Sequence, residues 1–290
     1  MQFNSLKTVI TCLLLFVSLV SFSQNDFQGK AFYESKTTVD MNNFGGGQLS
    51  EERKKQIADR MKSALEKTFI LTFNQSESVY KEEEKLEAPG QGGGMRFGMM
   101  TGAGGTQYKN VKEQKVLKEQ DFFGKQFLIN DSLQKLEWEL GAETKTIGKY
   151  TCFKATAIKT VEGFDMTRFR RRDDNEKPKD STNTKNEETK DADTPREIEV
   201  TAWYTPQIPI NQGPDVYWGL PGLILEISAD RTTILCSKII LNPSEKETIK
   251  VPSKGKEVTQ KEYDAIVKKK TEEMREMFRS RGGRGGGRPR

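Results

Sequence analysis

Between Trp203 and Ile227 the chain reads WYTPQIPINQGPDVYWGLPGLILEI, the one stretch dense in both aromatic residues and turn formers. Pro206 and Pro209 lack the N–H that a strand ladder needs and press their predecessors into extended backbone, so the chain leaves Tyr204 as a stiff connector. Gly213-Pro214 stops it again. Leu220-Pro221-Gly222-Leu223 fits a type II turn, with Pro at the second position and Gly where φ is positive. Leu223, Leu225 and Ile227 then alternate with Ile224, Glu226 and Ser228, the pattern of a strand buried on both faces except at Glu226.

The rest of the chain supplies partners for that strand. From Gly29 a strand alternates, with Tyr33, Val39 and Met41 on one face and Glu34, Lys36 and Asp40 on the other; Phe32 breaks the pattern. After Gly45-Gly46-Gly47 the period becomes helical, with Ile57, Met61, Ala64 and Leu65 on one stripe. A strand from Thr68 turns Phe69, Leu71 and Phe73 inward and is expected to run on through Val79 and Tyr80. The middle of the chain reads as a meander. Asp121-Phe122-Phe123-Gly124 turns into Phe127-Leu128-Ile129, Asn130-Asp131-Ser132 marks a turn, Leu136, Trp138 and Leu140 alternate with charges, and Gly141 turns the chain once more. Tyr150 to Lys159, Ile198 to Tyr204 and Thr232 to Leu241 complete the strands. Thr259 and Glu262 form a capping box that opens a last helix, whose apolar stripe of Tyr263, Ile266, Val267, Met274, Met277 and Phe278 is thin enough to pack only in its first half. The fold class is therefore mainly β with flanking helices (α+β): an antiparallel, curved sheet or incomplete barrel, one helix in the N-terminal half and one at the C-terminal end.

Gly219-Leu220-Pro221-Gly222-Leu223-Ile224 spells GLPGLI. With Trp203-Tyr204-Thr205, Ile208-Pro209, Gly213-Pro214, Ile147-Gly148 and the run from Tyr150 to Ala155, the chain resembles the GLPGLI family of Bacteroidetes envelope proteins from Gly29 to about Ile240. The resemblance implies an exported, β-rich protein without an established activity, and it carries no catalytic residues over. The long polar insertion and the glycine-rich loop near position 90 depart from the family pattern.

Lys7 precedes an apolar run from Val9 to Val20, and Ser21-Phe22-Ser23 offers the small residues that a signal peptidase requires, so residues 1–23 read as a signal peptide and the mature chain begins at Gln24. The run is short for a membrane span. We expect secretion across the inner membrane into the periplasm or outer envelope, and no integral membrane segment. A single β-rich domain is expected over residues 24–258, interrupted by a disordered glycine-rich loop at 89–105 and a disordered polar insertion at 170–197. The C-terminal helix covers 259–280 and an arginine-glycine tail 281–290. That tail reads first as solvated and without function; behind a signal peptide, contact with anionic headgroups suits it better than nucleic acid. Cys152 and Cys236 remain after cleavage, free to form a disulfide or to lie separately buried.

Histidine is absent from all 290 residues, which removes Ser-His-Asp and Cys-His catalysis and histidine-ligated zinc. No cofactor or metal is called for; Met95, Met99 and Met100 could ligate Cu(I), yet they sit where a mobile hairpin tip explains them better. Two functional classes remain. The first is a non-enzymatic envelope protein that offers a concave apolar surface or a strand edge to a lipid, peptide or outer-membrane protein through Trp203, Tyr204, Tyr217, Trp218 and Glu226. The second is a hydrolase using the carboxylates of Asp215 and Glu226.

Overall fold

The computed structural model describes residues 27–38, 50–53, 55, 56, 59, 65–83, 105–161, 196–245 and 247–282. Alternating apolar side chains and tight turns generate most of the strands. β1 (Gly29–Thr37) buries Ala31 and Tyr33 on one face, and β2 (Glu66–Phe73) answers with Leu71 and Phe73. β3 (Glu77–Glu82) follows after three residues, where the Asn74 side chain accepts hydrogen bonds from the backbone N–H groups of Ser76 and Glu77 at 2.9 and 2.7 Å. The continuous run expected through Val79 and Tyr80 is thus a hairpin, folded back by one asparagine. β4 (Gln107–Asn110), β5 (Lys115–Phe122) and β6 (Lys125–Ser132) continue the meander. At the β5–β6 hairpin Phe123 and Gly124 both take positive φ, 49° and 73°, as a two-residue turn between twisted strands requires.

β7 (Glu139–Ile147) and β8 (Tyr150–Val161) are joined by Gly148-Lys149, with Gly148 at φ 58°. β9 (Arg196–Thr205), β10 (Leu223–Ala229) and β11 (Thr232–Leu241) come next. The short β12 (Lys256–Val258) pairs parallel with β6 and leads into α1 (Gln260–Gly282). The capping box of α1 is formed: Glu262 accepts from the Thr259 N–H at 2.8 Å and donates its own N–H to Thr259 Oγ1 at 3.2 Å. Its first half packs, with Tyr263, Ile266 and Val267 against Phe122, Phe127 and Ile129; further along Met277 is 54% exposed, and the side chain of Phe278 lies outside the described residues.

The twelve described strands make one sheet in the order β12-β6-β5-β4-β3-β2-β1-β11-β10-β9-β8-β7. Every pairing but β12–β6 is antiparallel, so the expected antiparallel, β-rich class stands. The chain starts in the middle of the sheet, walks to one edge, crosses to the other and walks back to meet itself where β1 pairs with β11. That crossing dictates curvature. Laid flat, β6 and β7 would stand about 48 Å apart at ten spacings of about 4.8 Å, whereas the link from Ser132 to Glu139 reaches about 25 Å at most. The sheet must curl until its edges approach. Shifts of register between Phe32 and Tyr33 and between Ile224 and Glu226 mark bulges in the strands next to the meeting point.

Several expectations change. Leu136 and Trp138 belong to the edge-to-edge link and not to a strand, Asn130 to Ser132 complete β6, and Gly141 lies within β7 at an irregularity in its pairing. The polar insertion ends earlier than 197, because Arg196 and Glu197 already pair with Val161 and Thr160. Glu51–Arg53, Lys55, Gln56, Asp59 and Leu65 are helical where a helix was expected, but Ile57, Met61 and Ala64 lie outside the described residues. So do Val39 and Met41, residues 1–23, residues 89–104 of the glycine-rich loop, residues 170–195 and the tail from 283. No described helix is long and apolar enough to cross a membrane.

Candidate functional site

The connector between β9 and β10 fills the concave side of the sheet. Ile208, Ile210 and Leu220 are buried among Tyr33, Leu71, Phe73, Val200, Ala202, Tyr204 and Ile227. Its backbone groups are answered locally: Leu223 N–H donates to the Ile208 carbonyl at 3.0 Å, Ile224 N–H to Gln212 at 3.1 Å and Gly219 N–H to Asn211 at 3.2 Å. Tyr33 adds a buried hydroxyl, donating to the Ile224 carbonyl at 2.7 Å. The type II turn expected at Leu220 to Leu223 is not what forms. Gly222 N–H donates to the Leu220 carbonyl at 2.8 Å, a three-residue turn centred on Pro221, and the positive φ (93°) belongs to Gly219. Gly222 serves close approach instead: a Cβ there would stand 2.2 Å from the Thr205 carbonyl oxygen.

One lysine ties this connector to the other half of the sheet. Lys109, on β4, is wholly buried and donates from Nζ to the carbonyls of Gly213 at 2.6 Å and Tyr217 at 3.1 Å. Burial pulls its ammonium down to about 7, with Asp215 pulling the other way. Beside it Ser78 donates to Gln212 at 2.9 Å, and among the described residues the buried Tyr80 hydroxyl and the amide nitrogens of Gln107 and Gln212 have no partner. The interface of connector and sheet is therefore apolar toward β1 and β9–β11 and polar toward β3 and β4.

The edge-to-edge link is clasped by two tryptophans. Trp138 Nε1 donates to the Trp218 carbonyl and Trp218 Nε1 to the Gln134 carbonyl, both at 2.9 Å. Alongside the clasp a groove of about 430 Å³ is lined by Lys135, Leu136, Trp138, Leu140, Leu220 and Pro221, among others. Its outer wall is β7, which among the described strands pairs with β8 alone and leaves Leu140 61% exposed. Trp138, Leu140 and Lys109 carry weight that sequence reasoning did not assign. Trp138 was visible as an aromatic residue in a presumed strand, whereas nothing marks Lys109, a cation in a short polar strand.

The expected site residues are dispersed. Trp203 and Glu226 are cross-strand neighbours on the face away from the connector; Lys145 donates to both Glu226 oxygens at 2.7 Å and stands 4.3 Å from the centre of the Trp203 ring. Tyr204, Tyr217 and Trp218 are buried. Gly213 is packed under Ile224, Pro214 accepts from the Tyr217 N–H at 3.1 Å, and Leu223 and Ile224 are wholly buried. Asp215, at φ 49°, faces a second cleft lined by Ile227, Ala229 and Ile234, the opposite face of β10 from Glu226. The two carboxylates of the hydrolase reading are not brought together. The disulfide is likewise not formed: Cys152 and Cys236 are buried free thiols on β8 and β11, with β9 and β10 between them. Burial pushes their thiols up to about 11 and about 12.

Residues 138–226 match a known family model. Its description is Protein of unknown function (Porph_ging), and the matched span runs from the Trp138 of the clasp through the connector to Glu226. No curated protein matches the chain. Among solved structures, those of PNGF-II in space groups C2 and P21 align with 83% of this chain at 12% and 13% identity, each with a TM-score of 0.43. The alignment covers 33% of those chains, so this chain spans about a third of their length. The Porph_ging match thus takes in β7, β8, β9, the connector and most of β10, the side of the molecule that holds the groove.

Proposed function

We propose that the chain is an exported envelope protein of the GLPGLI type that binds, without chemistry, an extended peptide segment of an envelope partner along β7. The observation that carries this reading is the pairing of a nine-residue strand open on one side with an apolar groove beside it. Strand addition needs a row of unpaired backbone N–H and C=O groups, and specificity needs a pocket that receives alternate side chains. β7 supplies the first; Leu136, Trp138, Leu140 and Pro221 supply the second. The concave face is a poor seat for a lipid, since the chain's own Ile208, Ile210 and Leu220 lie there. Export rests on the sequence of residues 1–23.

A photo-crosslinking amino acid at Leu140, used in intact cells, tests the reading. Capture of one envelope protein is expected, lost when Thr144→Pro removes a backbone donor from β7. The same crosslinker at Ile158, 58% exposed on β8, should capture nothing. Equal capture at both positions, capture of lipid alone, or capture that survives Thr144→Pro would reject it.

A further inference from the structure

We infer that the cleft facing Asp215 is a binding site for a small primary ammonium carried on a short apolar arm. The cleft, of about 260 Å³, is lined by Asp215, Tyr217, Ile227, Ala229 and Ile234, together with Arg196, Asp230 and other residues. One wall is apolar and fixed: Ile227, Ala229 and Ile234 are core residues on adjoining strands. The charges around it are mostly spent. Arg196 donates to Asp230 at 2.8 Å, and Lys109 is occupied by two backbone carbonyls behind the connector. Among the described residues the Asp215 carboxylate has no hydrogen bond or ion pair, acting on the buried Lys109 only through its charge, and its backbone is held left-handed at φ 49° by the turn in which Tyr217 N–H donates to the Pro214 carbonyl. A carboxylate presented this way in a partly enclosed cleft favours a cation, because the apolar wall of Ile227, Ala229 and Ile234 limits the water that screens the pair.

The chain already places one ammonium here. Lys159 Nζ stands 4.9 Å from the centre of the Tyr217 ring, a cation held by the ring's negative face. It does not reach Asp215 in an ion pair, so the carboxylate stays open while the ring is filled by a flexible side chain. A ligand ammonium would meet Asp215 and compete with Lys159 for Tyr217, its arm lying on Ile227, Ala229 and Ile234. This site does not depend on the β7 reading, which concerns a different opening of the sheet.

Amide NMR titration of the full chain with n-pentylammonium, n-pentanoate and 1-pentanol tests the inference. Pentylammonium should shift the signals of Ile227, Ala229 and Tyr217 and bind about tenfold or more tighter than the other two, the scale of one hydrogen bond to a charged group. Asp215→Asn should lose that preference; asparagine accepts the left-handed backbone, so the turn survives the change. Lys159→Met should tighten pentylammonium by removing its competitor. Equal binding of pentanol or pentanoate, unchanged affinity in Asp215→Asn, weaker or equal affinity in Lys159→Met, or the absence of shifts at these residues would overturn it.

Discussion

Lys109 shows how one residue adds a polar tie to a connector that apolar contacts already seat against the sheet. Its amine reaches two carbonyls from a fully buried position, and its ammonium is held near 7 while an unfolded lysine titrates near its ordinary 10.5. Between those values the unfolded chain binds the extra proton, so stability should climb as pH rises from about 7. The buried thiols of Cys152 and Cys236 and the buried phenols of Tyr33 and Tyr80 are all pushed upward. In the unfolded chain these groups lose protons first as pH passes roughly 9 to 10, so they reverse the climb. Urea denaturation across pH 6 to 9 should therefore show a rising midpoint, and Lys109→Met, which keeps the arm without the charge, should flatten it. A midpoint in the variant that rises as steeply as the native one would count against this account.

At the scale of elements, the connector from Pro206 to Gly222 is the piece on which the concave side depends. Its seating requires that the backbone at Gly222 touch the backbone at Thr205, with no flexible side chain there to yield. Gly222→Ala should cost about 3 kcal/mol or more. Gly148→Ala, where φ is 58° but nothing lies within 4 Å, should cost about 1–2 kcal/mol of backbone strain. Thermal unfolding of the two variants gives the comparison. Much of this element was legible in sequence: the prolines announce an extended connector, and the alternation after Gly222 places Leu223, Leu225 and Ile227 inside. What sequence could not show is which glycine does which task. The Pro-Gly pair satisfies the type II rule on its own terms, but the depth of the connector decides that Gly222 supplies contact and Gly219 supplies the left-handed backbone. Likewise the partners of Trp218 and Glu226 come from residues about eighty positions away, Gln134 and Lys145, and local pattern carries no record of them. The aromatic residues of the stretch looked like a binding surface; most are packing.

At the scale of the whole molecule, the curled sheet relies on a six-residue crossing, and the two tryptophans hold it. Trp138→Phe and Trp218→Phe each remove one indole donor and leave a carbonyl without it, so each should cost about 1–2 kcal/mol. Because both bonds fasten the same link, the double variant should cost less than the sum of the two, which urea denaturation of the four proteins would reveal. Simple addition would mean that the bonds act independently. The sequence foretold a mainly β, antiparallel fold but not this arrangement, since nothing local says that the first strand waits for the eleventh.

That wait has a cost in time. The hydrogen bonds between β1 and β11 join residues about two hundred positions apart, and Gln28 and Asn242 bond to each other just beyond them. Hairpins on either arm can zip as they are synthesised, yet the seam at the centre stays open until the chain has been delivered as far as Leu241. A ribosome-stalled or proteolysed product ending before that point would expose two long, unmated edges, so premature termination late in the chain is as dangerous to this fold as an early one.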